Sequence, residues 1–150
     1  DARLLGFDVT ATYQASERMY FKGSYSYLDG YDRRNKMPLV YMPSNHFKGS
    51  FNYQIPSLGK FHNVEFQMNS RYVFKQKNVL LSQDFVAPPE GYHLLGLKVS
   101  AERQLRKLRL TTFIRVENLG NVKYRDYLNR QRYFADDLGF NLIAGMNINF

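Results

Sequence analysis

Apolar and polar residues alternate one for one through most of this chain, in runs longer than an ordinary strand. From Leu5 the odd positions read Leu5, Phe7, Val9, Ala11, Tyr13, and the even ones Gly6, Asp8, Thr10, Thr12, Gln14. A period of two places each set on one face of an extended chain, whereas a helix would scatter both around its axis. The same pattern runs over residues 4–15, 19–29, 46–55, 62–75, 93–102, 108–118 and 139–150. These seven segments are each about 10–14 residues long. A globular strand has about 5–6, and a strand crossing a bilayer in a barrel needs about 9–11.

The connections carry a second regularity. Residues 16–18, 56–61 and 103–107 are short links, and 30–45, 76–92 and 119–139 are long ones, in strict alternation. In an up-and-down sheet this puts the tight turns at one end and the long loops at the other, the asymmetry of outer-membrane barrels. The five prolines (Pro38, Pro43, Pro56, Pro88, Pro89) are expected in connections, because proline gives a ladder no N–H. No composition shift marks a second domain, so residues 1–150 read as one unit.

An antiparallel sheet with one apolar face has an inward-facing and an outward-facing solution. A soluble, lipocalin-like barrel buries the apolar face; a membrane barrel turns it to lipid and keeps a wet interior. The polar rows carry Gln14, Ser24, Ser26, Ser50, Asn52, Gln67, Asn69, Asn147 and Asn149, uncharged amides and hydroxyls that suit a hydrated interior. The chain has 12 Tyr and 12 Phe. On the apolar rows they gather near strand ends (Tyr13, Phe21, Tyr27, Phe47, Tyr53, Tyr72, Phe74, Phe140, Phe150), with Phe51 and Phe66 as exceptions. Aromatics at both interfaces are a membrane-barrel trait. The sequence therefore favours a transmembrane sheet. Since open edges in lipid leave backbone groups unpaired, the seven strands are expected to belong to a larger barrel. A complete small structural or adhesive barrel of about 8 strands is the alternative.

Charge and composition narrow the function classes. The net charge is +8, with cations spread over polar rows, turns and loops. A nucleic-acid module interleaves aromatics with cations on one face; here they occupy opposite faces, so no nucleic-acid partner is expected. There is no Cys, which excludes disulfides and thiolate metal sites. His46, His62 and His93 are far apart. "ADD" at residues 135–137 reads as turn chemistry. The loop cations Lys123, Arg125, Arg130 and Arg132 read as a solvated cluster facing anionic lipopolysaccharide or ligand. With no catalytic triad, phosphate loop or metal cluster, the chain is read as non-enzymatic and without a cofactor.

The last segment, "VENLGNVKYRDYLNRQRYFADDLGFNLIAGMNINF", resembles the C-terminus of TonB-dependent outer-membrane receptors. The family's Asn-Leu-x-Asn is Asn118, Leu119, Gly120, Asn121, its Tyr-x-x-Tyr pair is Tyr124 and Tyr127, and Gly139 precedes a final strand ending in Phe150. "SYSYLDGYD" and "PLVYMPSNHFKGSFNY" resemble its long-loop hairpins. Gly120 and Phe140 depart from the pattern and leave the ligand open.

The resemblance implies an all-β, up-and-down transmembrane barrel of roughly 22 strands around an N-terminal plug, of which this chain supplies the last seven. It implies TonB-dependent uptake, in a Gram-negative outer membrane, of a scarce large nutrient such as an iron–siderophore, corrinoid, glycan or peptide. The implied partners are outer-membrane lipid and lipopolysaccharide, the remaining barrel and plug, the TonB complex through the absent N-terminal part, and the barrel-assembly machinery. That machinery's C-terminal signal matches Gly145, Ile148 and Phe150. The C-terminus is accordingly expected to be native and the N-terminal edge a cut one. Among lumen-facing positions, Arg71, Lys98, Arg109 and Arg115 are the candidate substrate-binding residues.

Overall fold

In a computed structural model describing residues 1–150, the side chain of Gln83 excepted, the alternating segments pair into one antiparallel sheet. The strands are β1 (Ala2–Ser16), β2 (Met19–Asp32), β3 (Met37–Pro38), β4 (His46–Leu58), β5 (Phe61–Val73), β6 (Tyr92–Leu105), β7 (Leu108–Glu117) and β8 (Asn141–Asn149). The path is β1-β2-β4-β5-β6-β7-β8, with β3 attached to β2. Each long strand thus lies beside its neighbour in sequence. The seven expected long strands are present, and β3 is a two-residue rung inside the first long connection, Tyr31 facing Pro38 and Asp32 facing Met37.

The short connections are tighter than the alternation suggests. Ser16 pairs with Met19, Leu58 with Phe61 and Leu105 with Leu108, leaving two residues to turn each time. Gly59 (φ 62°) and Arg106 (φ 55°) adopt the left-handed backbone that such hairpins use. One proline consequently falls within a long strand, contrary to expectation, and another within the two-residue rung of the first long connection. Pro38 sits in β3. Pro56 sits in β4 opposite a break in the ladder: Ile55 pairs with Val64 and Ser57 with His62, while Asn63 (φ 48°) bulges toward β6. A bulge is where a strand tolerates a missing donor. The last strand starts at Asn141 rather than at 139, because the Phe140 N–H donates to Asn121 Oδ1 and not to β7.

The register keeps every row on one face. Tyr13, Phe21, Phe51 and Met68 form one cross-strand line, and Tyr25, Phe47 and Tyr72 another. Phe51 is thereby explained: its ring lies 5.1 Å from that of Phe21, although it is further from its own strand end. Between the lines, Gly23 faces Gly49, and the Phe47 ring passes within 3.8 and 3.5 Å of where their Cβ atoms would stand.

Exposure of the two faces is the reverse of a soluble sheet. Phe7, Val9, Tyr13, Phe21, Phe47, Met68, Leu142 and Met146 are all exposed, while Asn52 on the polar face is 1% exposed. The only buried hydrophobics among the described residues are Val64, Val73, Tyr92 and Tyr127. The closed apolar core of a lipocalin-like barrel is therefore not what this chain forms. The sheet is open: β1 and β8 each have one neighbour. Among the described residues no helix is long and apolar enough to cross a membrane; the membrane-length elements are strands.

Candidate functional site

The three long connections gather at one end of the sheet: loop 1 (residues 33–45), loop 2 (74–91) and loop 3 (118–140). Loop 3 is built from its roots upward. Asn118 (φ 50°) and Asn121 (φ 48°) take the left-handed conformation directly after β7, which short polar side chains tolerate best. The Asn118 amide is buried. Its Nδ2 donates to the carbonyls of Val122 (2.8 Å) and Leu138 (3.2 Å), and its Oδ1 accepts from the Val122 N–H (2.8 Å). One side chain thus joins the outgoing and returning limbs. Asn121 Oδ1 lies 2.5 Å from where a Cβ on Gly139 would stand, so any larger residue there would displace the Asn121 amide from the Phe140 N–H.

Farther out, Asp137 organises the loop. Its carboxylate accepts from the Asp126 N–H and from Asn129 Nδ2, both at 2.7 Å, while Asp136 pairs with Arg125 at 2.6 Å. Both carboxylates of the "ADD" segment are therefore occupied within the loop.

Tyr124 and Tyr127 anchor the loop in different directions. Tyr124 stacks on Tyr92 of β6 at 4.4 Å. The Tyr92 hydroxyl donates to Asp126 Oδ2 at 2.6 Å, and Arg71 reaches the same oxygen at 3.4 Å. Tyr127, 5% exposed, packs its ring on the Arg132 guanidinium, which lies between Tyr127 (4.9 Å) and Tyr133 (4.5 Å). Arg132 is buried, not solvated as its sequence context suggests, and donates to Asp84 of loop 2, whose other oxygen accepts from the Tyr133 hydroxyl at 2.7 Å. Tyr41 of loop 1 closes the group, its ring 5.9 Å from the Arg130 guanidinium. Gln76 and Asn78 of loop 2 reach back to the Met42 carbonyl and to Asp29. The three loops form one interlocked cap.

Between loop 3 and the sheet lies a cavity of about 410 Å³, within the roughly 300–1,000 Å³ of ligand sites. Lys48, Asn69, Arg71 and Arg115 line it from the wall, and Asn118 and Tyr124 from the loop root. Burial raises the ionisation point of Tyr124, so its phenol remains a hydrogen-bond donor. Of the four lumen-facing candidates, Arg71 and Arg115 meet here. Lys98 lines a separate recess toward the turns, together with Glu17, Arg18, Glu65 and Glu102, and its ammonium stands 5.9 Å over the Phe113 ring. Arg109 faces Gln104 and Asn149 at the turn end of the sheet, outside the cavity. The Arg132–Asp84 bond and the role of Asp126 were not legible in advance, because each partner belongs to a different loop or strand. Among the described residues no group of three His, Cys, Asp or Glu is placed to hold a metal ion.

Near the C-terminus, Gly145 faces Phe113, whose ring lies over it: a Cβ at position 145 would stand 2.4 Å from Phe113 Cε1. Ile148 faces Leu110 on the apolar side, and Phe150 is fully exposed.

No family model matches the chain, and no curated protein matches it. Ten chains of solved structures do. One is the copper transporter OprC, with a TM-score of 0.78 and 19% identity over 97% of this chain and 23% of that one. The likeness shows the fold. The antiparallel up-and-down sheet is that of a β-barrel segment, and the chain spans about a quarter of the transporter's length.

Proposed function

We propose that this chain is the closing wall of an outer-membrane, TonB-dependent uptake receptor for a scarce large nutrient: an iron–siderophore, corrinoid, glycan or peptide. The observation that carries this reading is the inverted sheet. Strands of membrane length present exposed Phe, Tyr and aliphatic rows on one side and a partly exposed face of amides, hydroxyls and charges on the other. Lipid solvates the first face, and a hydrated path suits the second. The similarity to a transporter over nearly the whole chain supports the same reading. Energy coupling belongs to a plug and TonB-contacting segment outside these residues, and no step of it is assigned to them. Copper is not carried over as the substrate, since the likeness is one of fold and no metal-binding cluster is present among the described residues.

The remaining barrel, the plug, outer-membrane lipid, lipopolysaccharide and the assembly machinery are the proposed partners. The proposed activity is transport without catalysis. The test is genetic and biochemical. The parent reading frame should be several times this length with a plug upstream, and its deletion should abolish uptake of one large nutrient at limiting concentration. A parent barely longer than this chain, folding alone as an eight-stranded barrel, would replace this reading with the small structural barrel.

A further inference from the structure

Cross-strand register places like charges directly opposite one another on the polar face: Lys48 faces Arg71, and Lys98 faces Arg115. Such pairs destabilise a sheet unless something lies between them. The two pairs are resolved differently. Around Lys98 the wall supplies carboxylates, with Glu17, Glu65 and Glu102 lining the same recess. Around Lys48 it does not. The cavity under loop 3 is lined by Lys48, Arg71 and Arg115 with Glu117 as the sole carboxylate. Arg115 meets Glu117 at 3.3 Å, and Arg71 meets Asp126 at 3.4 Å, each through one guanidinium nitrogen. A close charge-assisted hydrogen bond is about 2.7–2.9 Å, so both contacts are loose. Neither Lys48 nor Lys98 has a carboxylate within ion-pair distance among the described residues, but only Lys98 shares its recess with several.

We propose that this cavity is an anion subsite, in which Lys48, Arg71 and Arg115 hold a carboxylate- or phosphate-bearing group of the transported ligand while Asn69 and the Tyr124 hydroxyl donate neutral hydrogen bonds. The inference rests on the uptake reading above and narrows its ligand to an anionic one. Its chemistry is local. Arginine offers five donors in a planar fork that matches two oxygens at once, and a lysine opposite it adds a mobile point charge. An oxyanion between the two side chains turns a repulsive rung into an attractive one. Arg71 is shared with Asp126, so an arriving anion competes with loop 3 for the same guanidinium.

The experiment uses the full-length receptor in detergent and equilibrium dialysis with radiolabelled citrate and inorganic pyrophosphate, with labelled triethyl citrate as neutral control. Wild type is expected to bind both anions and not the ester. Lys48→Gln, Arg71→Gln and Arg115→Gln should each weaken binding about tenfold or more, whereas Lys98→Gln and Arg109→Gln should leave it within about twofold. Only variants that retain the folded, heat-modifiable gel mobility are compared, and Arg71→Lys serves as a second variant with its charge kept and its fork lost. The subsite is overturned if wild type binds neither anion above the ester, as when acidic side chains of the plug fill the cavity. It is equally overturned if the Lys98 and Arg109 variants lose as much as the cavity variants. Uptake by cells is scored separately. Anion binding lost with uptake dependence intact sinks the subsite alone; anion binding present with no uptake defect on deletion sinks the transport reading alone.

Discussion

Gly145 has no room for a side chain, and the reason is a ring rather than a turn. Phe113 covers it from the neighbouring strand, on the polar face. Gly145→Leu should therefore lower the yield of folded protein, since overpacking of this kind costs about 1–3 kcal/mol. The double variant Gly145→Leu with Phe113→Ala should recover it, as read by heat-modifiable mobility on gels. No recovery would mean that Gly145 acts only as part of an assembly signal. Asn118 makes a second residue-scale case. Replacing it with Ala removes three hydrogen bonds from a buried site and leaves the left-handed backbone without its amide. Each buried group left unpaired costs about 1–3 kcal/mol, and loop 3 should lose protection against limited proteolysis while the strands keep theirs.

At the scale of elements, the strands were written plainly in the sequence and the cap was not. Period two fixes which side chains share a face, and it located all seven long strands to within a few residues. It is silent about two-residue turns and about the bulge that admits Pro56, since both depend on pairing. It is equally silent about Arg132, which looks like one more loop cation until Asp84, 48 residues away, is brought to it. Removing one partner of a buried ion pair costs about 3–5 kcal/mol. Asp84→Ala and Arg132→Ala should each open loops 2 and 3 to hydrogen exchange, and the double variant should cost less than the sum of the two.

The same group sets a pH window. Burial opposes ionisation of Asp84, but bonds from Tyr133 and Arg132 outweigh it and hold the carboxyl below its usual range. Tyr133 is pushed up to about 12, chiefly by its bond to Asp84 and then by burial. A lowered acid stabilises above its ordinary value and stops doing so as pH falls through the lowered one. A raised phenol stabilises below about 10 and stops as pH climbs toward its raised value. Loop protection should hold from about pH 4 to pH 10 and fail on both sides, as loop-specific proteolysis across that range would show.

For the whole molecule, the open edges of β1 and β8 and the exposed aromatic rows are the governing facts. Long unpaired edges recruit other strands. The 150-residue chain made alone in aqueous buffer should aggregate, whereas the full-length protein in detergent should be monodisperse by light scattering. Of the candidate site, the sequence placed Arg71 and Arg115 on the polar rows; that they share a cavity, and that Lys98 and Arg109 do not, required the register and the fold of loop 3. The bond between Asp84 and Arg132 also has a meaning over generations. Loops usually vary independently of one another. Here a change at position 84 strands a buried guanidinium in another loop, so the two segments are inherited as a linked pair. Relatives should keep both residues or replace both.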